Sequence, residues 1–360
     1  MDSSKPRKLA FNRVKRLYTG GSGIDRLRGL SSPADNKFPE DWIASCVRAN
    51  SRDVPPEHGL SSFVIDGAEA SFPDFLKEHG EAVLGARHLA AFGPNPGFLS
   101  KLLDSSMRLP LQVHPDQPEA RRLFNSPFGK TEAWIVFATR EVAGERPYIL
   151  LGFNETLDKE RFEAESLSGE YPTGLGMLHK FYVKPGDVYV VLGRMPHAIG
   201  PGVTMVEVME PTDITINPER ECCGYELPLE RRFAKLKPAD AMAVFDYAPR
   251  SREETLRLCA PTPVVLESRR NGALRQRIPR AAYKFFEAQE LSFDGEWGMD
   301  LASAKCFKVG IVVDGHAKAD GLDLQPGDSF FIPFSCEKLT LKGKADIVLL
   351  LPPEPPTGAV

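Results

Sequence analysis

The stretch VKPGDVYVVLGRMPHAIGPG, residues 183–202, contains the pattern that decides the fold. A Pro-Gly-Asp turn leads into the apolar run VYVVL, and a histidine at position 197 precedes the next glycine-proline turn. The first half of the pattern returns at 324–333 as LQPGDSFFIP, again with a Pro-Gly-Asp turn before an apolar run. Short apolar runs bounded by tight turns are typical of β-strands. The sequence therefore predicts one β motif that occurs twice.

Further short apolar runs, separated by glycine and proline turns, extend over residues 98–232. The predicted strands here are Leu109–His114, Thr131–Thr139, Pro147–Phe153, Phe181–Val183, Val188–Leu192 and Thr204–Met209. Strands of this length and spacing favour a sandwich or a jelly roll. Strand patterns return from Tyr283 to the C-terminus, so the second part of the chain is also predicted to be β.

The N-terminal region lacks such periodicity. Residues 1–72 contain several prolines and predict a wrapping segment with short strands such as Ser62–Ile65. A helix is predicted over Phe72–Arg87, because apolar residues recur there at helical spacing and a proline stands in the first turn.

Two further helices are predicted at Ala234–Phe245 and Arg252–Leu258, where they interrupt the series of strands. We therefore place a domain boundary there and expect an N-terminal domain over 1–240 and a C-terminal domain over 241–360. A length of 360 residues suits two domains that each bury a core.

Composition limits the classes of partner. The net charge of -4 and a pI near 6.1 provide no general basic field for nucleic acid or for an anionic membrane. The longest apolar runs are too short to span a bilayer, and the N-terminus lacks the apolar core of a secretory signal. The six cysteines show no CxxC spacing and predict reduced thiols in a cytoplasmic protein.

Candidate metal ligands lie on three of the predicted strands. Gln112 and His114 are two residues apart in LQVHPD and share one face of an extended chain. Glu132 shares a face with Lys130 in GKTEAW, and His197 ends the strand that follows the Pro-Gly-Asp turn. Two imidazoles, one carboxylate and one amide oxygen make a plausible set for one Zn²⁺ per chain, with an open position for a water or substrate oxygen.

The motifs QVHPD, GKTEAW and PGD(x)9HAIGPG together resemble the catalytic domain of the type I mannose-6-phosphate isomerases. The resemblance extends to FPEDWIAS at 38–45 and EPTDIT at 210–215, and covers most of residues 15–230. It implies a mainly β protein of two cupin (jelly-roll β-barrel) domains with a few helices. It also implies that Gln112, His114, Glu132 and His197 bind zinc in the first domain. The C-terminal part resembles the smaller cupin of the same family.

That second cupin is expected to be metal-free. Counting eleven residues from Gly327, as from Gly186 to His197, leads to Lys338. The second domain is therefore predicted to pack against the first and stabilise it.

The family resemblance also implies an activity, which is the zinc-dependent interconversion of mannose 6-phosphate and fructose 6-phosphate. It places the proton-transfer base at Glu207, and Lys130 would bind an anionic substrate or stabilise the enediolate. Two positions depart from the family pattern. Asn217 stands where the family carries an arginine, which Arg220 replaces only if the chain turns between them, and Pro110 stands where a serine contacts the phosphate.

These departures keep two alternatives open: an isomerase of an unphosphorylated or otherwise different sugar, and a zinc- and sugar-binding cupin without turnover. A metal-dependent dioxygenase is disfavoured, because such sites generally present histidine-rich ligands. We expect a monomer or weak dimer, since two cupins in one chain cover the sheet faces that a single cupin buries by dimerising.

Overall fold

The structure is a computed structural model that describes residues 3–65, 68–168 and 173–356. Its strands are β1 (Arg7–Lys8), β2 (Arg13–Val14), β3 (Glu40–Ile43), β4 (Ser62–Ile65), β5 (Ala68–Ser71), β6 (Leu99–Asp104), β7 (Glu132–Thr139), β8 (Tyr148–Phe153), β9 (Leu178–Tyr182), β10 (Val188–Val191), β11 (His197–Ile199), β12 (Val203–Met209), β13 (Glu221–Cys222), β14 (Tyr225–Glu226), β15 (Val264–Arg269), β16 (Gly272–Ile278), β17 (Glu287–Asp300), β18 (Lys308–Ala319), β19 (Leu322–Leu324), β20 (Ser329–Ile332) and β21 (Lys338–Leu351). The chain is mainly β, as predicted.

Short helices connect the strands. They are α1 (Ser22–Leu27), α2 (Phe72–Leu84), α3 (Ala86–Phe92), α4 (Gln117–Phe124), α5 (Lys159–Ser168), α6 (Leu229–Arg232), α7 (Pro238–Ala243), α8 (Arg252–Cys259) and α9 (Arg280–Tyr283), with a 3-10 helix at Thr173–Met177. Within the described ranges, none of the helices is long and apolar enough to cross a membrane.

The first sheet positions most of the candidate site. Its strands run in the order β10-β7-β12-β6-β3-β2, and each neighbouring pair is antiparallel. A smaller sheet has the order β11-β8-β9. The central strands β7 and β12 are rich in β-branched and aromatic residues, which suit a buried pleated surface.

The second sheet takes its strands from the C-terminal part of the chain, with one exception. Its order is β1-β20-β18-β21-β17-β16-β15, and β19 pairs with β18. The exception is β1, since Arg7 pairs with Phe331 across the sheet edge. The N-terminal segment therefore wraps onto the C-terminal sheet, as its predicted role implies.

A shared apolar core joins the two sheets. Ala133 and Ile135 of β7 belong to the same buried cluster as Val309 of β18 and Leu350 of β21. Because side chains alternate along a strand, the other face of β7, which carries Glu132, points away from this core. The alternation therefore directs Glu132 and Trp134 toward the opposite side of the first sheet.

The helix predicted over Phe72–Arg87 is present as α2, which ends at Leu84, and a second helix, α3, begins at Ala86. The Ser71 hydroxyl caps the first turn of α2 by accepting from Asp74 N–H at 3.3 Å, and Gly85 ends it with φ 86°. The strand predicted at Ser62–Ile65 is also present, as β4.

Two predicted elements are shorter than expected. In the predicted strand Leu109–His114, the structure has isolated bridges at Gln112 and Val113, because Pro110 has no N–H to continue a ladder. In the predicted helix Ala234–Phe245, only residues 238–243 are helical. Ala234 and Lys235 have positive φ angles of 49° and 67°, so the helix begins at the following proline.

The boundary expected near residue 240 stays a prediction. The chain there passes through α7 and α8 between the two sets of strands.

Candidate active site

The first sheet aligns a row of polar and aromatic side chains across its strands. Glu207 of β12 pairs with Lys101 of β6 on one side and with Trp134 of β7 on the other. Trp42 of β3 pairs with Lys101 in turn. Directly opposed residues share a sheet face. The register therefore places the carboxylate of Glu207 beside the ammonium group of Lys101, and this pair lies between two indole rings.

Three of the predicted metal ligands converge next to this row. His114 Nε2 lies 3.3 Å from Glu132 Oε2, and His197 Nε2 lies 3.2 Å from Glu132 Oε1. Their donor atoms all lie within 4.8 Å of one another, and all three side chains are buried. The chain brings together side chains from residues 114, 132 and 197 because Gln112 and His197 exchange two backbone hydrogen bonds of 3.0 and 2.9 Å.

The donor set fits a divalent cation. His114 Nδ1 contacts the carbonyl oxygen of Ile214 at 2.8 Å, and His197 Nδ1 contacts that of Met195 at 2.8 Å. Each contact fixes a ring with its Nε2 lone pair toward Glu132, as second-shell hydrogen bonds do in metal sites. Both Glu132 oxygens and His197 Nε2 are buried and form no hydrogen bond with the described residues, although Glu132 Oε2 lies 3.2 Å from the Lys130 ammonium group. Such convergent orphaned atoms are what a bound metal would satisfy.

The protonation states of these side chains also favour metal binding. Burial, together with the Lys130 charge, lowers the pKa of His114 to about 3, which keeps the imidazole neutral. Burial alone would raise the pKa of Glu132, but Lys130 and the two imidazoles hold it well below its usual value. A neutral imidazole and an ionised carboxylate are the forms that bind metal.

Gln112 and Lys130 connect this cluster to open space. Both line a cavity of about 990 Å³, and Lys130 Nζ lies 2.7 Å from His114 Nε2 and 3.2 Å from Glu132 Oε2. Gln112 is half-buried, with its backbone bridged to that of His197. An amide and an ammonium group therefore separate the buried cluster from the cavity.

Glu207 also lines the cavity, and its carboxylate is buried. Lys101 Nζ lies 2.6 Å from Glu207 Oε2, and Trp134 Nε1–H donates to Oε1 at 3.2 Å. Burial and the nearby Glu132 charge raise the pKa of Glu207, although Lys101 opposes this effect. The Trp134 ring also lies 5.7 Å from the His197 ring, so Glu207 and the cluster share one neighbour.

A chain of alternating charges continues from Glu207 along the cavity wall. Lys101 lies 3.4 Å from Glu40, and Arg16 lies 3.3 Å from Glu40 and 3.0 Å from Asp213. Burial alone would raise the pKa values of Glu40 and Asp213, but the neighbouring cations outweigh it and hold both pKa values below the usual range. Each buried charge in this chain has an opposite partner, as burial requires.

Lys101 and Arg16 lie outside the sequence motifs, and although FPEDWIAS and EPTDIT contain Glu40 and Asp213, neither motif assigns them a role. One signal was available in FLSKLLD at 98–104, where a lysine stands inside an apolar strand. A charged residue in such a run is either buried with a partner or turned outward. Arg16 offers no comparable signal, because it lies in an irregular segment.

The structure places Arg220 away from this group. Its side chain is 48% exposed and pairs with Glu226 at 2.6 Å. Arg220 is not one of the described residues that line the cavity. Asn217 and Pro110 do line the cavity. Arg16 is thus a guanidinium within the cavity wall, whereas Arg220 belongs to the surface.

Known proteins resemble this chain in sequence and in structure. The chain is 34% identical over 203 residues to a Bacillus subtilis protein named "Probable mannose-6-phosphate isomerase GmuF", a match that covers 56% of each chain. The chain thus spans little more than half the length of this curated relative. No family model matches the chain.

Solved structures match over nearly the whole chain. The crystal structure of mannose 6-phosphate isomerase from Bacillus subtilis superposes with a TM-score of 0.73 at 21% identity, covering 96% of this chain and 99% of that one. The chain has the phosphomannose isomerase fold. A zinc-bound mannose 6-phosphate isomerase gives the same TM-score of 0.73 at 17% identity, with 97% and 100% coverage.

The phosphomannose isomerase fold confirms the predicted cupin architecture. In this fold, His114, Glu132 and His197 meet within one cluster, with Gln112 and Lys130 beside it. The assignment of these residues as metal ligands stays a prediction.

Proposed function

We propose that this protein is a zinc-dependent aldose–ketose isomerase that interconverts mannose 6-phosphate and fructose 6-phosphate. The observation that carries the proposal is the shared neighbourhood of the His114–Glu132–His197 cluster and the buried carboxylate of Glu207. Isomerisation requires a group that moves a proton between C1 and C2 and a cationic environment for the enediolate. Both kinds of group face one cavity here.

The metal would be held by Gln112, His114, Glu132 and His197, one ion per chain. When bound, zinc supplies a Lewis acid that polarises the substrate carbonyl. Ligation by two imidazoles, a carboxylate and an amide oxygen leaves a position open for substrate. The relatives named as mannose-6-phosphate isomerases, and the zinc-bound one among them, support this choice of metal.

Glu207 is the proposed proton-transfer base. Burial raises its pKa, which strengthens a carboxylate as a base, while Lys101 at 2.6 Å keeps the ionised form accessible. The N–H of Trp134 fixes the orientation of the carboxylate through Oε1. The carboxylate therefore takes a proton from one carbon and returns it to the neighbouring carbon without turning.

Lys130 and Arg16 are the proposed stabilisers of negative charge. Lys130 lies between the cluster and the cavity, where an ammonium group faces a developing enediolate. Arg16 lines the same cavity, so it can provide the guanidinium that Asn217 does not. We therefore do not assign Arg220 a role in the reaction, since it pairs with Glu226 at the surface.

The cavity supports a sugar phosphate as substrate. Its volume of about 990 Å³ is at the upper end of small-molecule sites. Its lining carries an excess of cations, which are Lys15, Arg16, Lys37, Arg52, Lys101, Lys130, Arg231 and Lys235, over the anions Glu40, Asp53, Glu207, Asp213 and Glu230. These cations can contact a phosphate group even though Pro110 replaces the phosphate-contacting serine of the family pattern.

Oligomeric state and location are parts of the proposal that come from the sequence. We expect a monomer or weak dimer in the cytoplasm, without nucleic-acid or membrane partners. Each of the six cysteines, all within the described ranges, is a free thiol.

A coupled assay tests the function. Purified protein is assayed for conversion of mannose 6-phosphate to fructose 6-phosphate before chelation, after chelation and after zinc reconstitution, with free mannose in parallel. We expect turnover of the phosphate ester that is lost on chelation and restored by zinc. Glu207→Gln should lower kcat by at least about 10²-fold, the usual contribution of a general base. Arg220→Ala is the matched control and should keep kcat.

Other outcomes separate the alternatives. If zinc-dependent turnover were seen with free mannose but not with mannose 6-phosphate, the proposed substrate would change. The proposed metal and base would still stand. A zinc-loaded protein that binds sugar phosphate without turning it over would overturn the enzymatic proposal in favour of a binding cupin.

A further inference from the structure

Two adjacent cysteines occupy the hairpin of β13 and β14 at the edge of the cavity. The Sγ atoms of Cys222 and Cys223 lie 3.5 Å apart, and both residues are half-buried. Neighbouring residues in a strand point to opposite faces. Here Cys223 has a positive φ of 57° and precedes Gly224, so the turn brings both sulfurs to one side.

Both sulfurs face the same backbone oxygen. The carbonyl of Arg108 lies 4.0 Å from Cys222 Sγ and 3.6 Å from Cys223 Sγ. The Arg108 guanidinium makes two contacts of 2.8 and 2.7 Å with the buried carboxylate of Glu219, which fixes this segment. The hairpin therefore presents two soft sulfur donors and one oxygen toward a common point.

The sulfur separation suits chelation better than a disulfide. Metal–sulfur bonds of about 2.3 Å that close on sulfurs 3.5 Å apart make an angle of roughly 99°, near the tetrahedral value. A disulfide requires an S–S distance of about 2.05 Å, and adjacent Cα atoms lie closer together than those of ordinary bridges. The pKa of Cys223 is lowered by the hydrogen bond from Cys222, with Arg108 adding to this against the effect of burial. The same hydrogen bond, together with burial, raises the pKa of Cys222, so Cys223 is the sulfur that more readily becomes a thiolate and a bound ion must displace the proton of Cys222.

We propose that Cys222 and Cys223 form a two-thiol site for a soft, thiophilic metal or metalloid ion, whose binding restrains the rim of the cavity. Tyr225 and Leu227 follow the cysteines and line the cavity, and Leu109 follows Arg108 and lines it too. An ion held by both sulfurs beside the Arg108 carbonyl thus links two segments of the cavity wall. Binding is independent of the proposed isomerase activity, whereas any effect on turnover rests on that activity.

The probe is phenylarsine oxide, a trivalent arsenical. It forms two As–S bonds with a thiol pair and releases one water, with no change in oxidation state. One equivalent is added to the full-length protein, and intact mass is measured under native conditions. We expect one adduct per chain that an excess of a dithiol removes and an excess of a monothiol does not.

Three variants locate the adduct. Cys222→Ser and Cys223→Ser should each lose it, because a single thiol does not hold the arsenical against monothiol competition. Cys306→Ser is the matched control, since Cys306 is also half-buried and lies in the C-terminal part of the chain. An adduct that persists in both hairpin variants, or a wild-type protein that forms none, would overturn the site.

The restraint is tested by hydrogen exchange, which does not depend on activity. Amides of residues 105–112 and 221–227 should exchange at least about threefold more slowly with the arsenical bound, and Cys223→Ser should show no such change. An adduct without slower exchange would overturn the link to the cavity. If the isomerase proposal holds, the arsenical should also lower turnover of wild type but not of Cys223→Ser. If the protein has no isomerase activity, the mass and exchange measurements still test the thiol site. Failure of the isomerase proposal can therefore be told apart from failure of the thiol-site proposal.

Discussion

The two Pro-Gly-Asp turns of this chain fold in the same way yet serve different regions. Gly186 N–H donates to Val136 O at 2.8 Å, and Gly327 N–H donates to Val312 O at 2.8 Å. Both glycines have positive φ angles, of 92° and 83°. The repeated motif in the sequence is therefore a repeated hydrogen-bonded structure.

The aspartates of the two turns also cap them alike. Asp187 Oδ2 accepts from Lys184 N–H at 3.0 Å, and Asp328 Oδ2 accepts from Gln325 N–H at 2.9 Å. What differs is the residue eleven positions after each glycine, which is His197 in one region and Lys338 in the other.

The interiors beyond the two turns differ accordingly. The first region opens onto the cavity, whereas Trp297, Phe293 and Phe330 fill the second with apolar side chains. The same turn and strand therefore support chemistry or packing, depending on which side chains follow them. Function lies in these side chains rather than in the shared fold.

The most severe test of this comparison replaces, in turn, the residue eleven positions after each glycine. His197→Ala should abolish zinc binding, because it removes one of the two imidazoles from the buried His114–Glu132–His197 cluster. Lys338→Ala should leave zinc content at one ion per chain. The measurement is elemental analysis of metal after reconstitution and dialysis. Equal zinc content in wild type and His197→Ala would refute the assignment of this cluster as the metal site.

A second test compares the buried lysines of the two sheets. Lys101 pairs with Glu207 at 2.6 Å, and its pKa is raised by Glu207 and Glu40 against burial. Lys308 is equally buried, but burial outweighs the nearby charges and lowers its pKa. Lys101→Met should destabilise the fold by about 3–5 kcal/mol, because it leaves a buried carboxylate without its partner. Lys308→Met should be near neutral.

Urea unfolding of both variants measures this difference. If Lys101→Met were as stable as wild type, the Lys101–Glu207 ion pair would contribute no net stability to the fold. Turnover provides the second measurement, since Lys101→Met should also lower kcat through the altered pKa of Glu207.

The sequence predicted the parts of the site that local patterns define. His114, Glu132 and His197 each lie within a short motif, and the structure brings all three together. The repeated turn was equally visible, since Pro-Gly-Asp fixes a local backbone conformation.

The rest of the site depends on tertiary contacts that no local pattern contains. Arg16 meets Asp213 across 197 positions of sequence, and its segment has neither periodicity nor motif. Arg220 illustrates the reverse case, because its sequence position near Asn217 favoured a role at the site whereas the hairpin turns it to the surface. Where a turn lies between two residues, as between Asn217 and Arg220, closeness in sequence does not bring both side chains to the same site.

A third test uses His88, which lies where the two regions meet. Its ring packs edge-on against Phe307 with centroids 5.0 Å apart, and Nε2 lies 2.8 Å from Asn95 O. Nδ1 is buried without a partner among the described residues, and burial lowers the pKa of His88 from 6.5 to about 4. Between those values the unfolded chain binds the extra proton, so stability falls as pH decreases.

The loss amounts to about 2.5 kcal/mol between pH 7.5 and 4.5, at 1.36 kcal/mol for each pKa unit. His88→Gln should flatten the pH dependence of unfolding free energy by that amount, while His316→Gln at an exposed position should not. A wild-type slope that survives in His88→Gln would assign the acid sensitivity to other groups.

The mildest test returns to the two turns and replaces only charge. Asp328 is fully buried and pairs with Lys8 of β1 at 2.5 Å, whereas Asp187 pairs with the exposed Lys184. Asparagine keeps the oxygen that caps each turn and removes the charge. Asp328→Asn should therefore cost about 2 kcal/mol by loosening the N-terminal strand, and Asp187→Asn at most about 0.5 kcal/mol. Urea unfolding measures both costs, and equal values would show that the N-terminal segment does not stabilise the second turn through this ion pair.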